Sequence, residues 1–231
     1  MKTHQLLVFF LVVFSVYLAG NLYIFLKGYN AIASARENKL LYTLIFSAAA
    51  LTFIAAKLLE ARHSTVFTDI LNIAGGFWLA FLVYGFFFFL LTDIAGFVLR
   101  ITGTLSPENM PDYRKWSFIA VISASFILIA GGFINAVIPK VTEYNINIDK
   151  KTEGVEKLRV AAVSDIHLGS IIRKRSMLRL SEILQELKPD VVFLLGDIID
   201  GEMGPVLRGD LLKHFTIPET TDGLYAITGN H

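Results

Sequence analysis

Residues 158–169 read LRVAAVSDIHLG, and this stretch decides the fold. Leu158 to Val163 form an apolar run broken only by Arg159, which predicts a short strand covered on both faces. Ser164, Asp165, Ile166, His167, Leu168 and Gly169 follow at once, a polar turn ending in glycine. The same grammar recurs twice. Residues 191–195 (VVFLL) predict a second buried strand and run into Gly196, Asp197, Ile198, Ile199 and Asp200; residues 224–228 (LYAIT) predict a third core strand and run into Gly229, Asn230 and His231. Between the first two, Met177, Leu180, Leu184 and Leu187 share one helical face from about Lys174 to Lys188, and Pro189 closes the helix. Residues 206–215 predict a second helix. The order β-α-β-α-β predicts a parallel sheet with right-handed crossovers. Open α/β sheets place their sites beyond the carboxyl ends of the strands. Asp165, His167, Asp197, Asn230 and His231 are therefore expected to converge from three loops. Oxygen ligands mixed with imidazole suit a hard to borderline divalent metal.

Upstream, the alternation of Tyr144, Ile146 and Ile148 with Asn145, Asn147 and Asp149 predicts a half-buried edge strand, and residues 150–154 a turn. Pro139 marks an abrupt change of composition. Residues 1–138 hold 15 of the 41 charged residues and 17 of the 19 phenylalanines, so a membrane segment precedes a water-soluble one. Four charge-free windows stand out, at 6–26, 40–56, 70–92 and 117–138, each long enough to cross a hydrocarbon core that needs roughly 17–25 apolar residues. Lys57 extends the second to about 58 by snorkelling, and the third continues past Asp93 towards Arg100. The first window is too long for a signal-peptide core and reads as a retained anchor. Four crossings put both termini on one side. Lys and Arg divide six against six between the two sets of loops, so the positive-inside rule gives no orientation.

The polar residues Asn21, Asn72, Asp93 and Asn135 fall near span ends, where water or headgroups solvate them. Gly75-Gly76 and Gly131-Gly132 are expected to permit close helix packing, and residues 86–89 to face lipid or pack. Cysteine is absent, which excludes disulfides and thiolate chemistry, and a net charge of +1 speaks against nucleic-acid binding. Arg173, Lys174 and Arg175 read as a solvated helix start in preference to an anion site. No glycine-rich nucleotide loop occurs.

D-x-H, then G-D-x-x-D, then G-N-H, each after a buried strand and some thirty residues apart, resemble the calcineurin-like metallophosphoesterases, in particular their membrane-anchored bacterial members. The resemblance covers about residues 141–231. The four windows give a four-helix transmembrane bundle (1–138); after a linker and edge strand (139–157), the resemblance implies the N-terminal part of a calcineurin-like α/β sandwich, a partial phosphoesterase domain (158–231). It implies a centre of two divalent ions, Mn, Fe or Zn. Asp165 and His167 would bind the first, Asp197 would bridge both, and Asn230 would bind the second. His231 would act as the catalytic proton or hydrogen-bond donor to the leaving group, with Asp200 supporting that histidine or its loop. The implied substrate is a phosphomonoester or phosphodiester, a lipid-linked phosphate among them, met at a membrane that the resemblance makes a bacterial cytoplasmic one. Family members carry a further lone histidine and a G-H-x-H motif downstream. His4, His63 and His214 do not fit those roles, so the chain is expected to be the N-terminal part of a longer enzyme and to have little activity alone. The rival reading is a non-catalytic membrane protein whose degenerate phosphoesterase half binds a partner or metal. A transporter-like bundle with an accessory domain is a weaker third.

Overall fold

The computed structural model describes residues 3–32, 36–149, 157–201 and 203–230. Four long helices come first: α1 (Thr3–Ala31), α2 (Arg36–Glu60), α3 (Val66–Ile101) and α4 (Met110–Val137). All four are long and apolar enough to cross a bilayer. At 1.5 Å per residue, the 36 residues of α3 extend about 54 Å, well beyond a hydrocarbon core of about 30 Å. The chain divides into two compact units, one of residues Met1–Ala61 and Leu71–Gly132, the other of Arg62–Ile70 and Phe133–His231.

In the first unit the helices meet through large side chains. Ile24, Phe46, Phe89 and Val121, one from each helix, are buried together, with Trp78, Phe81 and Phe118 packed around them. Of the run 86–89, expected to face lipid or pack, Phe89 packs at the bundle centre. Asn21 departs from expectation. It is buried rather than solvated at a span end, because its amide donates to the Tyr17 carbonyl at 2.8 Å and its oxygen accepts from Trp78 Nε1 at 3.0 Å. A buried amide with both ends bonded costs little to desolvate. Asp93 accepts from Tyr23 Oη at 2.6 Å and from Lys27 Nζ, tying α1 to α3. Gly75 lets α3 approach the Phe53 backbone, whereas Gly76, Gly131 and Gly132 have no neighbour within 4 Å of a Cβ position and serve no such contact.

In the second unit, β1 (Val160–Val163), β2 (Val191–Leu194) and β3 (Leu224–Ala226) form a parallel sheet in the order β1-β2-β3. Helix α5 (Lys174–Leu187) joins β1 to β2, stopping at Lys188 in the left-handed conformation just before Pro189. Its Leu180 and Leu184 pack with Ala161, Val192 and Leu194. Ile183, outside the predicted stripe, is buried as well.

Several expectations need correction. β1 is not covered on both faces: Ala161 is buried but Val160 is exposed, because β1 is an edge of the described sheet with α5 on one side. All three residues of β3 are exposed, so it is the opposite edge and not a core strand. Among the described residues, 141–149 pair with no strand, and Tyr144, Ile146 and Ile148 are exposed; an alternating pattern forms no strand without a ladder partner. The predicted turn at 150–154 lies outside the described residues. The predicted helix 206–215 is two pieces, α6 (Met203–Arg208) and a 3-10 turn (Leu211–His214), since Asp210 at φ 49° breaks the helix after Gly209.

Candidate metal centre

The loop after β1 is stitched to the loop after β2 by main-chain bonds. His167 N donates to the Asp197 carbonyl and Leu168 N to the Ile198 carbonyl, both at 2.9 Å, and Asp200 N donates back to the Leu168 carbonyl at 2.9 Å. Leu168, wholly buried between Met177, Val206 and Leu211, anchors the pair of loops from below. The loop after β3 joins by close approach. Gly196, at φ 92°, abuts Gly229: a Cβ on Gly196 would lie 2.8 Å from Gly229 Cα, and one on Gly229 would lie 2.0 Å from Asp197 Oδ1. Only residues without a side chain fit both places. These glycines are why the second and third motifs can meet.

Asp165, His167 and Asp197 each offer a ligand atom, and the three atoms lie within 4.8 Å of one another. All three residues have left-handed backbone, at φ 55°, 49° and 49°. That conformation costs L-residues roughly 1–2 kcal/mol, and such strain gathers where a site dictates side-chain direction. The His167 ring faces two carboxylates, Asp165 Oδ1 at 3.8 Å from Nε2 and Asp200 Oδ1 at 3.6 Å from Nδ1. One ring nitrogen is thus turned towards the cluster and the other towards an outer aspartate, the division a metal-ligating imidazole needs. Two carboxylates and an imidazole fit a hard to borderline divalent cation.

Of the residues singled out by sequence, Asp165, His167 and Asp197 come together. Asn230 is exposed and directly follows Gly229, which touches Asp197. His231 lies outside the described residues. Asp200 faces His167, a partner that sequence alone did not assign to it. His214 is half-buried, and its carbonyl accepts from Ser181 Oγ at 3.2 Å. Arg173 is not simply solvated at the start of α5, since its guanidinium stands 3.6 Å from the buried Asp69. Sequence reading missed that contact because Asp69 sits 104 positions upstream, at the start of a span.

Residues 158–231 match the family model of the calcineurin-like phosphoesterases. This part of the chain is similar to that family. The phosphoesterase domain has relatives that carry membrane segments. A zebrafish (Danio rerio) transmembrane protein with metallophosphoesterase domain is 28% identical over 157 residues, covering 68% of this chain and 35% of the relative. An uncharacterized metallophosphoesterase of Aquifex aeolicus is 28% identical over 115 residues, 49% of this chain and 41% of its own length. The UDP-2,3-diacylglucosamine pyrophosphatase LpxG of Chlamydia trachomatis is 30% identical over 93 residues, 40% of this chain and 28% of its own. The matches therefore cover between 28% and 41% of the length of these relatives. No solved structure matches it. Taken together, the protein is a membrane protein with a four-helix bundle followed by an α/β phosphoesterase domain.

Proposed function

We propose that the domain hydrolyses phosphate esters through a centre of two divalent metal ions, with the bundle as its membrane anchor. The observation that carries the reading is the strained cluster of Asp165, His167 and Asp197 at the carboxyl edge of the parallel sheet. Asp165 and His167 would hold one ion, Asp197 would be shared between the two, and the Asn230 amide oxygen would serve the second. Bound there, such ions would supply charge neutralisation for the phosphoryl oxygens and lower the pKa of a nearby water. Asp200 orients the His167 ring from its Nδ1 side. His231 gives a proton or hydrogen bond to the leaving group. The protein's share of the work is positioning and fixed electrostatics.

Mn²⁺, Fe²⁺ and Zn²⁺ all suit this donor set. A lipid-linked phosphate is the substrate class we favour. It is supported by the membrane-spanning helices and by the relative named for hydrolysing a diacylated nucleotide sugar. Four protein ligands shared between two ions would leave much of each shell to water. We expect these 231 residues to bind metal weakly and turn over slowly.

The test is a Mn²⁺ titration of the detergent-solubilised chain, followed by electron paramagnetic resonance, beside Asp197→Ala. The variant should bind at least about tenfold more weakly. Equal affinity in both would reject the centre. A nitrophenyl phosphodiester assay of the same samples should show only slow release; fast turnover abolished in Asp197→Ala would show that these four ligands suffice.

A further inference from the structure

Asp69 lies in the first turn of α3, and its side chain is only 2% exposed. A buried carboxylate needs partners to stay charged at acceptable cost. It has two. Arg208 Nη2 stands 2.5 Å from Oδ1, and Arg173 Nη2 stands 3.6 Å from Oδ2. Arg208 also reaches the turn that precedes Asp69, donating through Nη1 to the Ser64 carbonyl at 2.8 Å and to Ser64 Oγ at 2.9 Å. That turn is itself fixed. Thr65 Oγ1 accepts from Thr68 N at 3.2 Å, while Thr68 Oγ1 accepts from Thr65 N at 2.8 Å, a reciprocal cap at the start of α3. Residues Arg62–Ile70 accordingly belong to one compact unit with the phosphoesterase domain, although two spanning helices flank them in sequence.

The two arginines occupy telling places in the chain. Arg173 ends the loop that leaves the first motif, and Arg208 ends α6, the first helix after the second motif. Just before Arg173, the Ile172 carbonyl accepts from Gly169 N at 3.0 Å, and Leu168 bridges both Ile172 and Ile199. Val206 of α6 packs on the same Leu168. His167 is the next residue back. A shift of Arg173 or of α6 therefore moves the socket that holds Leu168, and with it the strained backbone that aims His167 at the two carboxylates.

We propose that Asp69 is a positioning residue for the metal centre: through Arg173 and Arg208 it clamps the exits of the first two motif loops, so the turn between the second and third spans helps hold the metal ligands. The inference rests on the metal-centre reading above. A staple that merely fastens the turn to the domain would lower the melting temperature and leave metal affinity, measured well below melting, unchanged.

The experiment uses the whole chain in detergent, comparing wild type, Asp69→Asn, Arg173→Gln and Asp197→Ala. Mn²⁺ affinity and resonance line shape are read at low temperature, and amide exchange at His167 and Leu168 is read without metal. Asp69→Asn should weaken Mn²⁺ binding by about 3- to 10-fold, at or below the loss seen when a ligand-orienting partner is removed. It should also speed exchange of the two amides. Wild-type affinity and exchange in Asp69→Asn would overturn the proposal. If that variant does not fold, Arg173→Gln decides, since Arg173 is about half exposed and its loss threatens folding least. A smaller shift in the same direction supports the clamp, and none overturns it. Asp197→Ala binding Mn²⁺ as tightly as wild type would reject the metal centre instead, while the metal-free exchange data would still judge the clamp.

Discussion

In the helical bundle Phe10 is 61% exposed, Val16 67% and Phe126 72%, while the interior holds Asn21 and receives the Tyr17 hydroxyl on the Ala50 carbonyl. In the phosphoesterase domain Leu168, Met177 and Val192 are completely covered, and the polar residues stand on the loops. The two units are built by opposite rules because their solvents differ. Among lipid tails, apolar surface gains nothing by turning inward, so packing and internal hydrogen bonds hold helices together. In water, burial drives the fold and leaves charged groups free to assemble at strand ends. Both units still fasten elements with a carboxylate and a cation: Asp93 with Lys27 in the bundle, Asp69 with Arg208 in the domain. They differ in exposure. Asp93 is 44% exposed and Asp69 2%, so the second pair should matter far more to its surroundings.

Glycine substitutions sharpen this contrast, and the largest effect belongs to the domain. Alanine at Gly229 would set its Cβ 2.0 Å from Asp197 Oδ1 and 2.5 Å from Asp197 N. The main-chain nitrogen cannot swing aside, so the second and third loops must separate. Gly229→Ala should lower Mn²⁺ affinity by about 100-fold, the upper range for disturbed ligand support. Near-wild-type affinity in a titration would mean that the third loop is not held against Asp197.

In the bundle the same change is decided by helix contact alone. A Cβ at Gly75 would lie 2.7 Å from Phe53 Cα, so α2 and α3 must move apart, whereas one at Gly76 or Gly132 meets nothing within 4 Å. Gly75→Ala should cost about 1–3 kcal/mol, as overpacking does. Gly132→Ala should stay within about 0.5 kcal/mol of wild type. Denaturation of detergent-solubilised protein, followed by helical circular dichroism, measures both. Equal effects at the two positions would break the distinction.

What the sequence made legible follows the same division. The four spans could be read because hydrophobicity along a helix needs no knowledge of neighbours. That Asp165, His167 and Asp197 meet could be read because they follow two apolar runs whose ends the topology brings together. Contacts between distant segments could not. Nothing local distinguishes Gly75, which touches Phe53, from Gly132, which touches nothing. Asn21 looked like a solvated end residue until Trp78 supplied its partner from another helix. Tyr144, Ile146 and Ile148 alternate as a strand would, yet alternation provides no ladder partner. The apolar character of residues 224–228 identified β3 without revealing that its faces are exposed.

An effect smaller than that at Gly75 tests the polar interior of the bundle. Asn21→Leu keeps the branched four-atom skeleton of the side chain but removes the acceptor that Trp78 Nε1 reaches at 3.0 Å and the donor that meets the Tyr17 carbonyl at 2.8 Å. In water-soluble cores, leaving one buried donor unpaired costs about 1–3 kcal/mol. Inside a membrane bundle the unfolded helices still lie in lipid, where the same groups find other partners. Measured interhelical bonds there average about 0.6 kcal/mol and reach about 1.7. The Tyr17 carbonyl belongs to the α1 ladder in any case, so only the Trp78 bond links two helices. Asn21→Leu should therefore reduce bundle stability by about 0.5–1.5 kcal/mol, less than Gly75→Ala. In a Trp116→Phe background, which leaves Trp78 as the one tryptophan, its fluorescence should report the changed surroundings of the indole. A loss above about 3 kcal/mol would mean that the Asn21 interior behaves like a water-soluble core, and the contrast drawn between the two units would fail at its most direct point.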